Sequence, residues 1–214
     1  METEKEIEVL MEVFGSKSDI LKKLSSFKFE GAKKTIDIYF FDPKRKNLKP
    51  HKNCRLKECF RIRTKGGKSY LAYKIDHFNQ KDIWSHSDEH EIEISNPETT
   101  LKIIEHLGFK ELVKLENIKH TFSNSKYEIV FEEVKNLGLF LEVEAINTNS
   151  NGNIKKTKSD ILKLIKSLGI KTGLELNSGK PELLLKNHLE KIWKPQYLLI
   201  RNWQKFLKKN KSLG

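Results

Sequence analysis

CFRIRTKGGKSYLAYKI, residues Cys59 to Ile75, reads as two strands joined by a tight turn. Apolar and polar residues alternate on both sides of Gly66 and Gly67, the residue type that best supplies the positive backbone angles of a short hairpin loop. Alternate side chains of a strand share a face, so Arg61 and Arg63 project together and away from Phe60 and Ile62. Lys74 likewise lies opposite Tyr73 and Ile75. The hairpin therefore has a basic face and an apolar face.

Outward from this hairpin the pattern recurs with the opposite sign. Glu6 and Glu8 alternate with Ile7 and Val9, Glu91 and Glu93 with Ile92 and Ile94, and Glu142 and Glu144 with Leu141 and Val143. Strands are expected over Lys5 to Val13, Thr35 to Phe40, Glu89 to Ile94, His120 to Phe122, Tyr127 to Glu132 and Leu139 to Ile146. Three short helices have start and stop signals: Ser18 to Leu24, Pro97 to Leu107 between Asn96 and Gly108, and Ser159 to Leu168 before Gly169. Their inward residues are read as Ile20, Leu21 and Leu24, then Leu101, Ile104 and Leu107, then Ile161, Leu164, Ile165 and Leu168. EIEV, EIEI and EVEA each precede one helix, so a unit of strand then helix repeats. Thr148 to Lys158 is polar and turn-rich, and reads as a loop.

Like charges two residues apart on a strand sit about 7 Å from each other. Repeated rows of one sign therefore call for neutralisation by something facing them. If the apolar faces turn outward under the helices, an acidic floor and a basic wall line the inside of an antiparallel barrel. Carboxylates in such a lumen suit a hard cation such as Mg²⁺ or Mn²⁺, while guanidinium and ammonium groups suit phosphate oxygens. The ligand this chemistry fits is a metal-bound polyphosphate. The competing explanation is a sheet with one wet face and surface ion pairs.

The chain has 214 residues, 37% of them hydrophobic, and a formal charge of +12. That charge favours polyanionic partners without choosing among them. No apolar run reaches the roughly 18 residues of a membrane span, and the start METEKEIEVLMEV lacks the basic head and apolar stretch of a secretory signal. A cytoplasmic protein without a membrane partner is expected. Cys54 and Cys59, the only cysteines, make neither a disulfide framework nor a zinc site by themselves. HSDEH, His86 to His90, matches a zinc-protease pattern that requires a helix, whereas it runs into the EIEI strand. GKS at Gly67 to Ser69 is not a phosphate loop, because Ile62 stands where that motif needs glycine.

From about Pro181 the composition turns basic and helix-like, in ELLLKNHLEKIW and PQYLLIRNWQKFLKKNK. Packing of Leu183, Leu184, Leu198, Leu199, Trp203 and Phe206 on the barrel is expected, with RNA binding or a homodimer contact as other uses of this tail. The division is a tunnel domain over residues 1–173 and a basic helical extension over 174–214.

EIEV, DIYFFDP (Asp37 to Pro43), FRIRTKGGKSYLAYK (Phe60 to Lys74), EHEIEI, LGF (Leu107 to Phe109) and EEVKNLGLFLEVEA (Glu132 to Ala145) occur in the order found in CYTH proteins. Over about residues 4 to 170 the chain resembles this superfamily of triphosphate tunnel enzymes, which includes class IV adenylate cyclases, thiamine triphosphatases and inorganic triphosphatases. It looks closest to the cyclase-like branch. The resemblance implies an α+β fold, an eight-stranded antiparallel β-barrel with helices packed outside. It places Glu6, Glu8, Glu132, Glu142 and Glu144 at metal positions and Arg61, Arg63, Lys74 and Lys119 at phosphate positions. Glu6, Glu8 and Lys74 would be catalytic, and Glu91 and Glu93 belong to the site or only to the tunnel floor. The implied reaction converts ATP to cyclic AMP and pyrophosphate. Hydrolysis of thiamine triphosphate or tripolyphosphate is the alternative, as is slow-turnover binding of a triphosphate or RNA end. Two departures weigh on catalysis: Leu10 stands at the lysine of the E-x-E-x-K signature, and Asn117, Lys119 and Phe122 replace a K-x-R-x-x-Y-like pattern.

Overall fold

Gly66 and Gly67 turn the chain with φ of 59° and 82°. They join β4 (Glu58–Lys65) to β5 (Lys68–Phe78) in register, so that Arg61 faces Ala72 and Arg63 faces Tyr70 across the ladder. This is seen in a computed structural model, which describes residues 5–51, 53–146 and 153–188. Before the hairpin come β1 (Lys5–Glu6), β2 (Glu8–Phe14), α1 (Lys17–Leu24) and β3 (Lys28–Phe41). After it follow β6 (Trp84–Ile94), α2 (Pro97–His106), β7 (Lys110–Ser123), β8 (Tyr127–Val134), β9 (Gly138–Ala145), α3 (Ile154–Ser167) and β10 (Lys171–Glu175). A last helix, α4, covers 180–188.

The strands form a single antiparallel sheet in the order β1-β6-β5-β4-β3-β7-β8-β9-β2-β10. The expectation of a closed eight-stranded barrel is corrected on both counts: among the described residues the sheet has ten strands and its ladder is open. The reason lies at Ile7. On one side of it β1 pairs with β6, and on the other β2 pairs with β9, so the N-terminal segment changes partner and the ladder is interrupted there. The covalent chain joins what the hydrogen bonds leave apart. Side chains of β5 reach those of β1 and β2, so the sheet curls around a channel.

The apolar faces do point outward under the helices. Ile7, Val9, Phe131, Leu141 and Val143 pack with Ile20 and Leu24 of α1 and with Ile161 and Ile165 of α3 in the largest buried cluster. Ile104 of α2 covers Phe40 and Ile62. Period-two alternation thus sends every second residue into the channel and the rest under a helix.

Several boundaries differ from the sequence reading. α3 begins inside the stretch read as a loop, because Asn153 caps it by accepting a hydrogen bond from the backbone N–H of Lys156. Its first turn contains only Ile154 as an apolar residue, too little for a visible stripe. Leu107 lies past the end of α2 and is 70% exposed. β3 and β7 each run for 14 residues and pair along most of that length, well beyond Thr35 to Phe40 and His120 to Phe122. The added end of β3, KFEGAKK, is largely exposed and lysine-rich and carries no apolar alternation to reveal it, whereas in β7 the buried Val113 and Leu115 alternate with Lys114 and Glu116 and were a usable signal. Residues 174 and 175, expected to open a separate extension, belong to β10. Among the described residues no helix is long and apolar enough to cross a membrane.

Candidate functional site

Charged side chains meet inside the channel in paired layers. On the hairpin, Arg63 makes a two-pronged contact with Asp37 of β3, its register partner, at 2.8 Å (Nε to Oδ1) and 2.9 Å (Nη2 to Oδ2). Arg61 donates to Glu89 of β6 at 2.6 Å and to the Tyr39 hydroxyl at 3.2 Å. Lys74 bridges Glu6 at 2.6 Å and Glu8 at 3.0 Å, joining β5 to the N-terminal segment. On the far wall the fully buried Glu132 accepts from Asn117 at 2.6 Å and lies 3.3 Å from Lys119. Lys180, at the start of α4, enters between Glu132, at 2.5 Å, and Glu142.

Glu6, Glu8, Glu142, Glu144, Arg61, Arg63, Lys74 and Lys119 all line this one cavity. Glu132 stands behind its wall, tied to it through Lys119 and Lys180. Glu91 and Glu93 are exposed beyond the channel, and Glu93 pairs with Lys68 at 2.9 Å. Two residues earlier on the same face, Glu89 lines the cavity instead.

Sequence reasoning missed Asp37, Glu89 and Lys180. Asp37 and Glu89 carried a usable signal: Glu89 continues the alternating row of Glu91 and Glu93, and Asp37 begins DIYFFDP inside a strand already read over Thr35 to Phe40. Lys180 carried none. It reaches the channel because the segment before α4 is fastened to the tunnel mouth. Asn177 accepts from the Trp84 N–H at 2.6 Å and donates to the Asp82 carbonyl at 2.8 Å. Glu182 accepts from the N–H groups of Leu56 at 2.5 Å and Gly179 at 2.9 Å.

Burial and charge set the protonation pattern. Burial, despite the opposing pull of Lys74, pushes Glu6 up to about 9. Burial, aided by the nearby carboxylates of Glu8 and Glu142, pushes Glu144 up to about 8. Glu89 is also buried, but the Arg61 guanidinium and a hydrogen bond from protonated Glu6 bring it down to about 2. For Glu142, the opposing effect of burial is outweighed by the Lys180 and Lys119 ammoniums, which hold it well below the usual carboxylate range. Burial pushes the Tyr39 hydroxyl up to about 12, so it stays a neutral donor.

Not every group is satisfied by this lattice. Arg61 Nε, a donor, and Asn117 Oδ1, an acceptor, are buried without a hydrogen-bond partner, and both residues line the cavity. Such groups cost about 1–3 kcal/mol each when left unpaired. The glutamate oxygens gathered here are also the donor type that a hard divalent cation takes, in exchange for the protons that burial favours on Glu6 and Glu144.

The fold and the cavity together define a class: a curled antiparallel sheet around a channel of facing acidic and basic side chains. The chain belongs to the CYTH domain family, whose pattern it matches over residues 4–177. A Methanocaldococcus jannaschii protein named as a putative adenylate cyclase is 29% identical over 187 residues, covering 87% of this chain and 97% of that relative. The structure of the PH1819 protein from Pyrococcus horikoshii superposes with a TM-score of 0.68 at 26% identity, over 84% of this chain and 99% of that one. The fold also matches HpAC1 from Hippeastrum, named as a putative adenylyl cyclase, at a TM-score of 0.55 and 17% identity, over 82% of this chain and 92% of that one. A dominant triphosphatase activity is described for that protein.

Proposed function

We propose that the channel binds a nucleoside or other organic triphosphate with a divalent cation and cleaves it. The observation that carries this reading is the lattice of buried charges around an open cavity, with Arg61 Nε and Asn117 Oδ1 left over. Buried ion pairs contribute little net stability, because desolvation offsets most of their attraction. Opposed walls of both signs are instead suited to exchanging partners: phosphate oxygens take the cations and a metal takes the carboxylates.

Glu6, Glu8, Glu132, Glu142 and Glu144 are the residues that would hold Mg²⁺ or Mn²⁺. When bound, that cation offsets phosphate charge and polarises the phosphorus that is attacked. Arg61 and Arg63 grip phosphate oxygens with planar forks, and Lys74 and Lys119 add point charges that stabilise the leaving phosphate. Lys180 supplies an ammonium beside Glu142, the cross-strand partner of Leu10, and so offsets the lysine absent from position 10.

Cyclisation is the leading reaction, on the strength of the archaeal relative's name. The ribose 3′-oxygen attacks the α-phosphorus, the bond to the β-phosphate oxygen breaks, and pyrophosphate leaves. Hydrolysis by water at the terminal phosphorus is the second reading, favoured by the activity described for the Hippeastrum protein. The test is release of pyrophosphate, cyclic nucleotide and orthophosphate from ATP, GTP, thiamine triphosphate and tripolyphosphate with Mg²⁺ or Mn²⁺. Pyrophosphate with cyclic AMP is expected, falling at least 100-fold in Glu8→Gln. Orthophosphate alone would establish the hydrolase. No product from any substrate, with no rise in melting temperature on adding them, would overturn both readings.

A further inference from the structure

The same β5–β6 pair that carries Lys74 and Glu89 into the channel carries a second group of ligating side chains on its other face. Asp76 and Ser87 are register partners, line or back the channel and hydrogen-bond to each other at 2.7 Å, with Trp84 donating to Ser87 at 3.1 Å. Their sequence neighbours His77, His86 and Asp88 therefore face away from the channel. His77 and His86 are paired directly across the ladder. Their rings stack 4.5 Å apart and only 8° from parallel. Asp88 lies one step along β6 on that face, with its Oδ2 2.7 Å from His77 Nε2.

We propose that His77, His86 and Asp88 form a transition-metal site, distinct from the channel, that takes Zn²⁺ or a similar borderline cation such as Co²⁺ or Ni²⁺. One ligand atom from each of the three lies within 4.8 Å of the others. Metal–nitrogen and metal–oxygen bonds of about 2.0–2.2 Å put neighbouring ligands on one ion roughly 3–3.5 Å apart. The His77–Asp88 pair, joined by a 2.7 Å hydrogen bond, opens by a few tenths of an ångström and gives up its shared proton to reach that bite, and the His86 ring turns from its 3.2 Å contact with the Ser85 hydroxyl. Two imidazoles and one carboxylate form a mixed nitrogen and oxygen set with coordination positions left for water, which selects against Mg²⁺ and for the later divalent metals. The channel's all-oxygen glutamates have the reverse preference.

The backbone holds the site in place. The ladder is irregular between His77 and Phe78, where Ser85 is the extra residue, and such a bulge re-aims the side chains beside it. The turn beyond is fixed by Asn79, which accepts from the N–H groups of Lys81 at 2.8 Å and Ile83 at 3.2 Å. Arg55 pairs with Asp82 of that turn at 2.5 Å. His86 thus belongs to a metal-ligand pattern after all, with His77 across the sheet rather than with His90.

Isothermal titration of untagged full-length protein with Zn²⁺, and with Co²⁺ read by its visible absorption, tests the site. One equivalent should bind in wild type and in Glu8→Gln Glu142→Gln, which removes two of the five channel donors. That equivalent should be lost in His77→Ala and in His86→Ala, and weakened at least tenfold in Asp88→Asn, while turnover with Mg²⁺ is unchanged. Mg²⁺ itself should not compete for it. Binding retained in both histidine variants, or lost in the channel variant, would overturn the proposal, as would no Zn²⁺ binding by wild type. The result is independent of whether any triphosphate is cleaved.

Discussion

Glu144 is an uncomfortable carboxylate inside the proposed cation site. It sits beside Glu8, its register partner, and burial raises it to about 8. In the unfolded chain the same group ionises near its ordinary value of 4.5. The folded protein therefore binds the extra proton, and stability from this group is present below pH 4.5 and lost as pH rises through 8. Glu6 extends the loss toward 9. In metal-free buffer the melting temperature of wild type should fall between pH 6 and 8.5, and that of Glu144→Gln should fall less, since glutamine does not titrate. Equal slopes in a thermal scan would show that Glu144 is not held protonated. Saturating Mg²⁺ should narrow the wild-type loss, because the cation takes the place of the proton. Parity alone placed Glu144 on an inward face, but its protonation depends on Glu8 and Glu142, whose proximity no single strand reveals.

At the scale of elements, the β4–β5 hairpin delivers four of the channel's cations at once, Arg61, Arg63, Lys65 and Lys74. Its signature was fully legible, because alternation, turn chemistry and length all agree over residues 59–75. β10 was not, since KTGLE has neither alternation nor a turn signal, and it exists because β2 offers it a free edge. β1 and β2 were read as one strand for the opposite reason: nothing in EIEV marks the change of partner at Ile7. Gly67 has open space where a Cβ would stand but a φ of 82°, so a side chain there meets backbone strain rather than a clash. Gly67→Ala should cost about 1 kcal/mol, measured by chemical denaturation, and leave the affinity for tripolyphosphate within twofold. A larger fall in affinity would mean that the turn also positions Arg61, Arg63 and Lys74.

For the molecule as a whole, the channel is finished by chain that returns to it from the far end of the sequence. Lys180 is the only described cation in contact with both Glu132 and Glu142 at hydrogen-bonding distance, and Leu184 of the same helix packs in the cluster that contains Leu10. Breaking a buried pair by removing one partner costs about 3–5 kcal/mol, because the other charge stays buried. The sequence reading set a boundary after residue 173 and a change of composition at about Pro181, and neither registers a lysine that reaches back into the channel. Residues 189–214, with Leu198, Trp203 and Phe206, lie outside the described residues, so the two roles of the C-terminal stretch separate cleanly by length. A chain ending at His188 should keep tripolyphosphate binding and its melting-temperature shift. A chain ending at Glu175 should lose at least tenfold in affinity and melt several degrees lower, as Glu132 and Glu142 lose Lys180 and the mouth loses Asn177 and Glu182. Equal binding by the two would show that α4 only covers the channel, and loss in both would move the working part of the segment beyond His188.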